Sequence, residues 1–142
     1  MPAEIPKLQP DTDSREYWEG LARGELRIQR CGSCARHVFY PRAICPHCFS
    51  SELSWVTATG KGTIYSYTVA HQGYGAFAQD VPFVVAIVEL EEGVRMMTRI
   101  VGSPREQVAI GAHVEISFEK IDEDLTLPYF RLSGEHVSPL NR

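Results

Sequence analysis

The sequence of 142 residues has no apolar run approaching the ~20 residues that a membrane-spanning helix needs. Its opening stretch, MPAEIPKLQPDTDS, has neither the basic n-region nor the apolar h-region of a secretory leader, so the expected location is cytoplasmic, with no membrane contact. A nucleophile elbow, a P-loop, an HExxH pair and a dinucleotide fingerprint are all missing. Gly60-Lys61-Gly62 and Gly73-Tyr74-Gly75 are too short to cradle a phosphate. His71, His113 and His136 are scattered, so no catalytic centre is visible. What remains is an ordinary globular composition, 44% apolar and 23% charged, of a length that allows one modest domain and an appendage.

Charge is unevenly placed. Residues 1–20 carry two positive and five negative side chains, residues 21–50 five and one, and residues 51–142 seven and twelve, which gives −3, +4 and −5 within the total of −4. A basic island therefore sits inside an acidic chain. Its arginines, Arg23, Arg27, Arg30, Arg36 and Arg42, form either a solvated surface or a place to meet phosphates.

All four cysteines fall inside that island, as Cys31-Gly-Ser-Cys34 and Cys45-Pro-His-Cys48. Two CxxC turns each offer two thiolates to one tetrahedral metal, the spacing of zinc ribbons. A redox dithiol needs only one such pair, and disulfides suit a cytosolic chain poorly. With four sulfurs bound no position is left for water or substrate, so Zn²⁺ here fastens the fold, with iron the alternative metal for the same ligands. His37 and His47 lie close by; the complete cysteine set makes them neighbours of the site rather than ligands.

Ahead of the cysteines, Asp13 or Ser14 reads as the N-cap of a short helix that places Tyr17, Trp18 and Leu21 on one apolar face and stops at Gly24. Such a helix is too short to stand alone, and the chain's own body is the expected support. Leu26–Arg30 and Val38–Pro41 read as a strand and its return around the first knuckle. Five further strands are expected at 63–71, 83–90, 94–101, 114–120 and 127–133, with Glu91-Glu92-Gly93 as a hairpin turn. The fold class is therefore mainly β: an N-terminal helical segment (1–24), a zinc ribbon (25–55), a five-stranded Greek-key barrel of OB type (56–137) and a tail (138–142). An SH3-like barrel is the near alternative. Between the first two barrel strands, the loop 72–82 sets Tyr74 and Phe77 among glycines, either as a ligand contact or as a lid on the barrel rim.

The order Tyr17-Trp18-x-Gly20-Leu21, Gly24-x-Leu26, Cys31-x-x-Cys34, Pro41-Arg42, Cys45-Pro46-x-Cys48, Trp55, Gly60-x-Gly62, Pro82, Val88-x-Leu90, Gly93 and Gly111 resembles the OB-fold acyl-CoA-associated proteins with an N-terminal rubredoxin-like zinc ribbon. The resemblance covers nearly the whole chain, from about Tyr17 to Phe130. It implies a non-catalytic partner of thiolase-fold enzymes, among them thiolases and the lipid-transfer-protein-like aldolases of steroid side-chain breakdown. Some members are fused to or bind MaoC-type hydratases. It further implies acyl-CoA as ligand, a 2:2 assembly with the partner, and Cys31, Cys34, Cys45 and Cys48 as zinc ligands. The family has no sharp CoA motif, so Arg30, Arg36, Arg42, Tyr74 and Phe77 are nominated as ligand contacts from charge and exposure. A basic ribbon beside an apolar loop would suit a nucleotide head and an acyl tail. The competing class is a binder of single-stranded nucleic acid, opposed by the −5 of the barrel region. An independent hydrolase or lyase using a histidine and a carboxylate is the third.

Overall fold

The computed structural model describes residues 9–133; residues 1–8 and 134–142, with His136 and the expected tail, lie outside the described residues. Helix α1 (Arg15–Ala22) has Ser14 at its N-cap, as expected, but the Ser14 side chain makes no capping hydrogen bond. Both the Ser14 amide and its hydroxyl donate to Asp11 Oδ1, at 2.9 and 2.8 Å, so Asp11 pins the entry to the helix instead. At the other end Gly24, with φ of 81°, closes a Schellman turn: its amide reaches Leu21 O (3.0 Å) and the Glu25 amide reaches Gly20 O (2.8 Å). Tyr17 and Leu21 are buried, and Tyr17 meets Trp18, Phe39 and Tyr40 edge-on at 4.9–5.5 Å. The helix thus packs on the chain's own body. Burial pushes the Tyr17 hydroxyl well above the usual phenol range.

Next comes a three-stranded antiparallel sheet, ordered β2-β1-β3, of β1 (Arg27–Cys31), β2 (His37–Val38) and β3 (Leu53–Thr57). β1 and β2 occupy the expected strand and return, although β2 is only two residues long. β3 was not legible in the sequence. It pairs along all of β1, from Arg27 with Thr57 to Cys31 with Leu53, and then leads the chain into the barrel.

The barrel strands are β4 (Lys61–Ala70), β5 (Phe83–Leu90), β6 (Arg95–Ile100), β7 (His113–Lys120) and β8 (Thr126–Leu132). All five fall where the alternation and β-branched runs put them. They close in the order β4-β5-β6-β8-β7, with β7 returning to β4 and β6 running parallel to β8, which is the OB-type arrangement. β5 alternates fully buried with half-buried residues, and on β6 Met96 is buried while its neighbour Met97 is 72% exposed, as opposite faces demand. Between β6 and β7, Val108 follows a short 3₁₀ turn (Arg105–Gln107) and is buried in the barrel core. At Gly62 a Cβ would collide with the Glu89 carbonyl oxygen, so the close β4–β5 approach requires glycine.

One apolar core runs through the whole described body. Tyr17 and Leu21 from the helix and Leu26 and Ile28 from the base of the ribbon pack with Ile64, Val88, Met96, Val114 and Phe130 of the barrel. The outer ribbon has only a small core of its own, made by Cys31, Val38 and Cys45 with Cys34 and Leu53 against it.

Candidate metal centre and the groove beside it

The two knuckles fold alike. In each, the amide of the residue after the second cysteine returns to the first cysteine's carbonyl (Ala35 to Cys31, 2.9 Å; Phe49 to Cys45, 2.8 Å). In each, the first cysteine's amide reaches a carbonyl just beyond the turn, Arg36 O or Ser50 O. This hairpin forces Ala35 and Phe49 into the left-handed region, at φ of 67° and 65°, where a side chain is strained. The reward is convergence: the four sulfurs all lie within 4.8 Å of one another, with Cys31 and Cys48 at 3.6 Å and Cys34 and Cys45 at 3.7 Å. A disulfide would need about 2 Å. Four thiolates at about 2.3 Å from a tetrahedral metal stand about 3.8 Å apart, which the observed spacing fits.

The surroundings favour the ionised form of two of the sulfurs, Cys31 and Cys45. The Cys34 amide, 3.5 Å away, leads the contacts that hold the Cys31 thiol down to about 6. Burial opposes ionisation of Cys45, but the amides of His47 and Cys48 outweigh it and its thiol is lowered too. Cys48 goes the other way, to about 12: the Ser50 amide favours its thiolate, yet burial and the three neighbouring sulfurs prevail. Four negative sulfurs at such spacing need a cation between them. Among the described residues the converging metal-ligand group consists of these four cysteines, a complete tetrahedral donor set of the kind that structural metals use.

The nominated arginines separate in the structure. Arg23 and Arg27 are held by Glu16 at 3.0 and 2.9 Å and spend their charge locking helix to ribbon. Arg30, Arg36 and Arg42 are exposed and, among the described residues, paired with no carboxylate. Arg42 is placed by a contact the sequence did not announce. The buried Gln29 side chain donates to Arg42 O and accepts from Arg42 N, both at 2.8 Å, imitating a strand rung for the linker between the knuckles. Arg42 lines a groove of about 420 Å³ between the ribbon and the β5–β6 hairpin, together with His37, His47, Gly93 and Arg95. Arg36 Nη1 lies 3.3 Å from His47 Nδ1, beside this groove, whereas Arg30 does not line it.

Tyr74 and Phe77 are elsewhere. The β4–β5 ladder runs from Gly62 with Leu90, at the ribbon end, to Ala70 with Phe83, where the loop begins. Seven strand steps at about 3.3 Å separate the two ends by about 23 Å. The expected adjacency of ribbon and loop is therefore corrected: they lie at opposite ends of the barrel wall. The loop itself divides. Tyr74 is 74% exposed, while Phe77, in a 3₁₀ turn (Gly75–Phe77), is half-buried. Asp80 anchors it through Arg99 at 3.1 Å, whose guanidinium lies 4.4 Å from the Phe83 ring centre.

Among the described residues, no histidine is hydrogen-bonded to a carboxylate, so the acid–base pair of a hydrolase is not assembled. Three of the barrel's cations, Arg95, Arg99 and Arg131, are each bound to an acid, which disfavours the basic track that single strands require. Fold and site together define a metal-stapled ribbon fused through a shared core to an OB-type barrel. Residues 18–54 match the ChsH2 rubredoxin-like zinc ribbon domain and residues 55–119 the ChsH2 C-terminal OB-fold domain. The chain belongs to this ChsH2/DUF35 family.

It is 42% identical over 96 residues to a DUF35 domain-containing scaffold protein of Methanocaldococcus jannaschii, covering 67% of this chain and 68% of that protein. It is 39% identical over 127 residues to a probable enoyl-CoA hydratase alpha subunit of Thermomonospora curvata, covering 89% of this chain but only 39% of that longer protein. Among solved structures it resembles a chain of an Ltp2-ChsH2(DUF35) aldolase, at 38% identity and TM-score 0.80, covering 89% of this chain and 98% of that one.

Proposed function

We propose that this chain is the non-catalytic accessory subunit of a thiolase-fold enzyme, a thiolase or a lipid-transfer-protein-like aldolase of steroid side-chain breakdown, and that it helps to hold that enzyme's acyl-CoA thioester. The carrying observation is the likeness to the aldolase-complex chain, which spans 98% of that chain. A closed four-sulfur centre, and described histidines with no carboxylate hydrogen-bonded to them, fit a subunit that lends structure while its partner holds the catalytic groups. The metal of the proposal is zinc, suited to a closed tetrahedral thiolate set with no redox duty. Within the nominated contacts, Arg36 and Arg42 serve the phosphate end of the ligand and Arg30 adds to the same field. Tyr74 and Phe77, about 23 Å away by strand rise, meet the partner or the far end of a bound thioester. The assembly is a cytoplasmic 2:2 heterotetramer, and a MaoC-type hydratase is a further partner class.

Co-expression with a thiolase-fold enzyme, followed by size-exclusion with light scattering and calorimetric titration of acyl-CoA, tests the reading. A stable complex that binds acyl-CoA more tightly than the enzyme alone is expected. Absence of complex with candidate thiolase-fold partners, and no acyl-CoA binding by either form, would overturn it.

A further inference from the structure

The barrel closes through short contacts and leaves part of one long strand open. β7 covers the outer edge of β4 only along Lys61–Thr63, and the Gly111 amide and Ala112 carbonyl then take Ile64. From Tyr65 to Ala70 the strand pairs with β5 on one side and, among the described residues, with no strand on the other. Tyr65, Ser66, Tyr67 and Thr68 are all exposed. Sheets guard open edges with charge, proline or brevity. The other open stretches of the barrel carry such guards: Arg95 and Arg99 on β6, Glu119 and Lys120 on β7, Pro128 on β8. In the ribbon sheet β2 is two residues long, and three of the five residues of β3 are half-buried. Tyr65–Ala70 has no guard, and no Asp, Glu, Lys or Arg occurs between Lys61 and Asp80.

The phase of the ladder fixes what this edge offers. The Leu90 amide bonds Val94 O, so even-numbered β5 residues face β6 and odd-numbered ones face β4. Phe83 and Val85 therefore take Ala70 and Thr68, and the N–H and C=O of Tyr67 and Val69 point out of the sheet. We infer that a second copy of this chain pairs here, β4 antiparallel to β4 about a two-fold axis at Thr68. In that register Tyr67 lies opposite Val69 of the second copy and each exchanges both of its open groups, while Thr68 faces its own counterpart. Centred on Tyr67 instead, the pairing would set Val69 against the bulge between Ile64 and Ser66. Charge selects the occupant. Residues 51–142 carry seven positive and twelve negative side chains, so two copies repel except along an uncharged line, and a partner steered by charge finds none on this edge to read. Tyr65 and Tyr67 on the strand, and Ile110 beside Gly111, are 48, 39 and 70% exposed and add apolar area along the seam. A standard interface buries about 800 Å² per partner, more than one strand edge supplies, so the dimer is concentration-dependent. Self-pairing needs neither acyl-CoA nor a thiolase-fold enzyme.

Sedimentation equilibrium of the full chain with its metal bound, over a wide concentration range, is expected to show a reversible monomer–dimer equilibrium. Thr68→Lys and Thr68→Glu each set like charges directly opposite across the axis and should weaken the dimer at least about tenfold. An equimolar mixture of the two variants sets opposite charges there and should restore it, which damage to the fold could not do. Hydrogen exchange of the unmodified chain gives a second measure: the Tyr67 and Val69 amides should gain protection as the dimer forms, while those of Val84 and Ala86, on the β6 side of β5, stay unchanged. A monomer at every concentration, a dimer untouched by either substitution, a mixture no better than its components, or Tyr67 and Val69 amides that exchange equally fast in the dimer would overturn the inference. A free chain that stays monomeric and gains protection at these amides only on binding a thiolase-fold enzyme would overturn self-pairing and leave the proposed function standing.

Discussion

Removing the metal should unfold the ribbon tip and leave the barrel standing, because the two draw on different cores. From Cys31 to Cys48 the chain runs eighteen residues, and the buried side chains of this outer region are Cys31, Val38, Pro41 and Cys45. Burial of a large apolar side chain contributes about 1.5–3 kcal/mol. Fixing one residue's backbone costs about 1–2 kcal/mol. Four small or medium side chains fall far short of ordering eighteen residues, whereas a structural metal supplies on the order of 10 kcal/mol or more. The base of the ribbon is different: Leu26 and Ile28 are buried in the barrel's own core. Hydrogen exchange on the metal-bound chain and on the chelated chain measures the division. The amides of Cys31, Ala35, Cys45 and Phe49, which close the knuckles, are expected to lose protection on chelation, while those of β5 and β6 keep theirs. Knuckle amides that stay protected after complete metal loss, or a barrel that melts with the ribbon, would refute the reasoning. So would any stoichiometry other than one metal per chain.

Other perturbations probe single contacts. Ala35→Gly relieves a left-handed alanine and should raise metal-bound stability by up to about 1 kcal/mol, read by denaturant titration. Gly24→Ala, in open space but at φ of 81°, should cost about 1 kcal/mol for the same conformational reason. Gln29→Leu strips both bonds from the Arg42 backbone and should cost about 1–3 kcal/mol, read by denaturant titration. Glu16 is held below the usual carboxylate range, first by its bond from Arg23 and also by Arg27. Its contribution is therefore complete above the ordinary carboxylate pKa and is lost as pH falls through the lowered value. Glu16→Gln should shrink the difference between neutral and acid stability, and an unchanged acid transition would dismiss the helix-to-ribbon lock.

The sequence revealed what depends on periodicity and spacing, and hid what depends on register. The five barrel strands were legible because alternation and β-branched runs survive without knowledge of neighbours. The cysteines were legible because a metal imposes their spacing on the chain directly. Strand β3, Leu-Ser-Trp-Val-Thr, was not, since its residues are half-buried or exposed and it exists because β1 offers an edge to pair with. Ser14 stands at the N-cap as read, but its hydroxyl is turned to Asp11, three residues earlier, a pairing that the helix signal alone does not announce. The candidate site shows the same rule. Charge arithmetic located the basic island, but not that Glu16 consumes two of its arginines, nor that Arg95, fifty-three positions after Arg42 and in an acidic region, supplies the opposite wall. Nor could exposure and glycine content tell which end of the barrel the Tyr74 loop occupies; the pairing of Ala70 with Phe83 decides that. A groove walled by two units is invisible to local reading, because its sides are brought together only by the core that helix, ribbon base and barrel share.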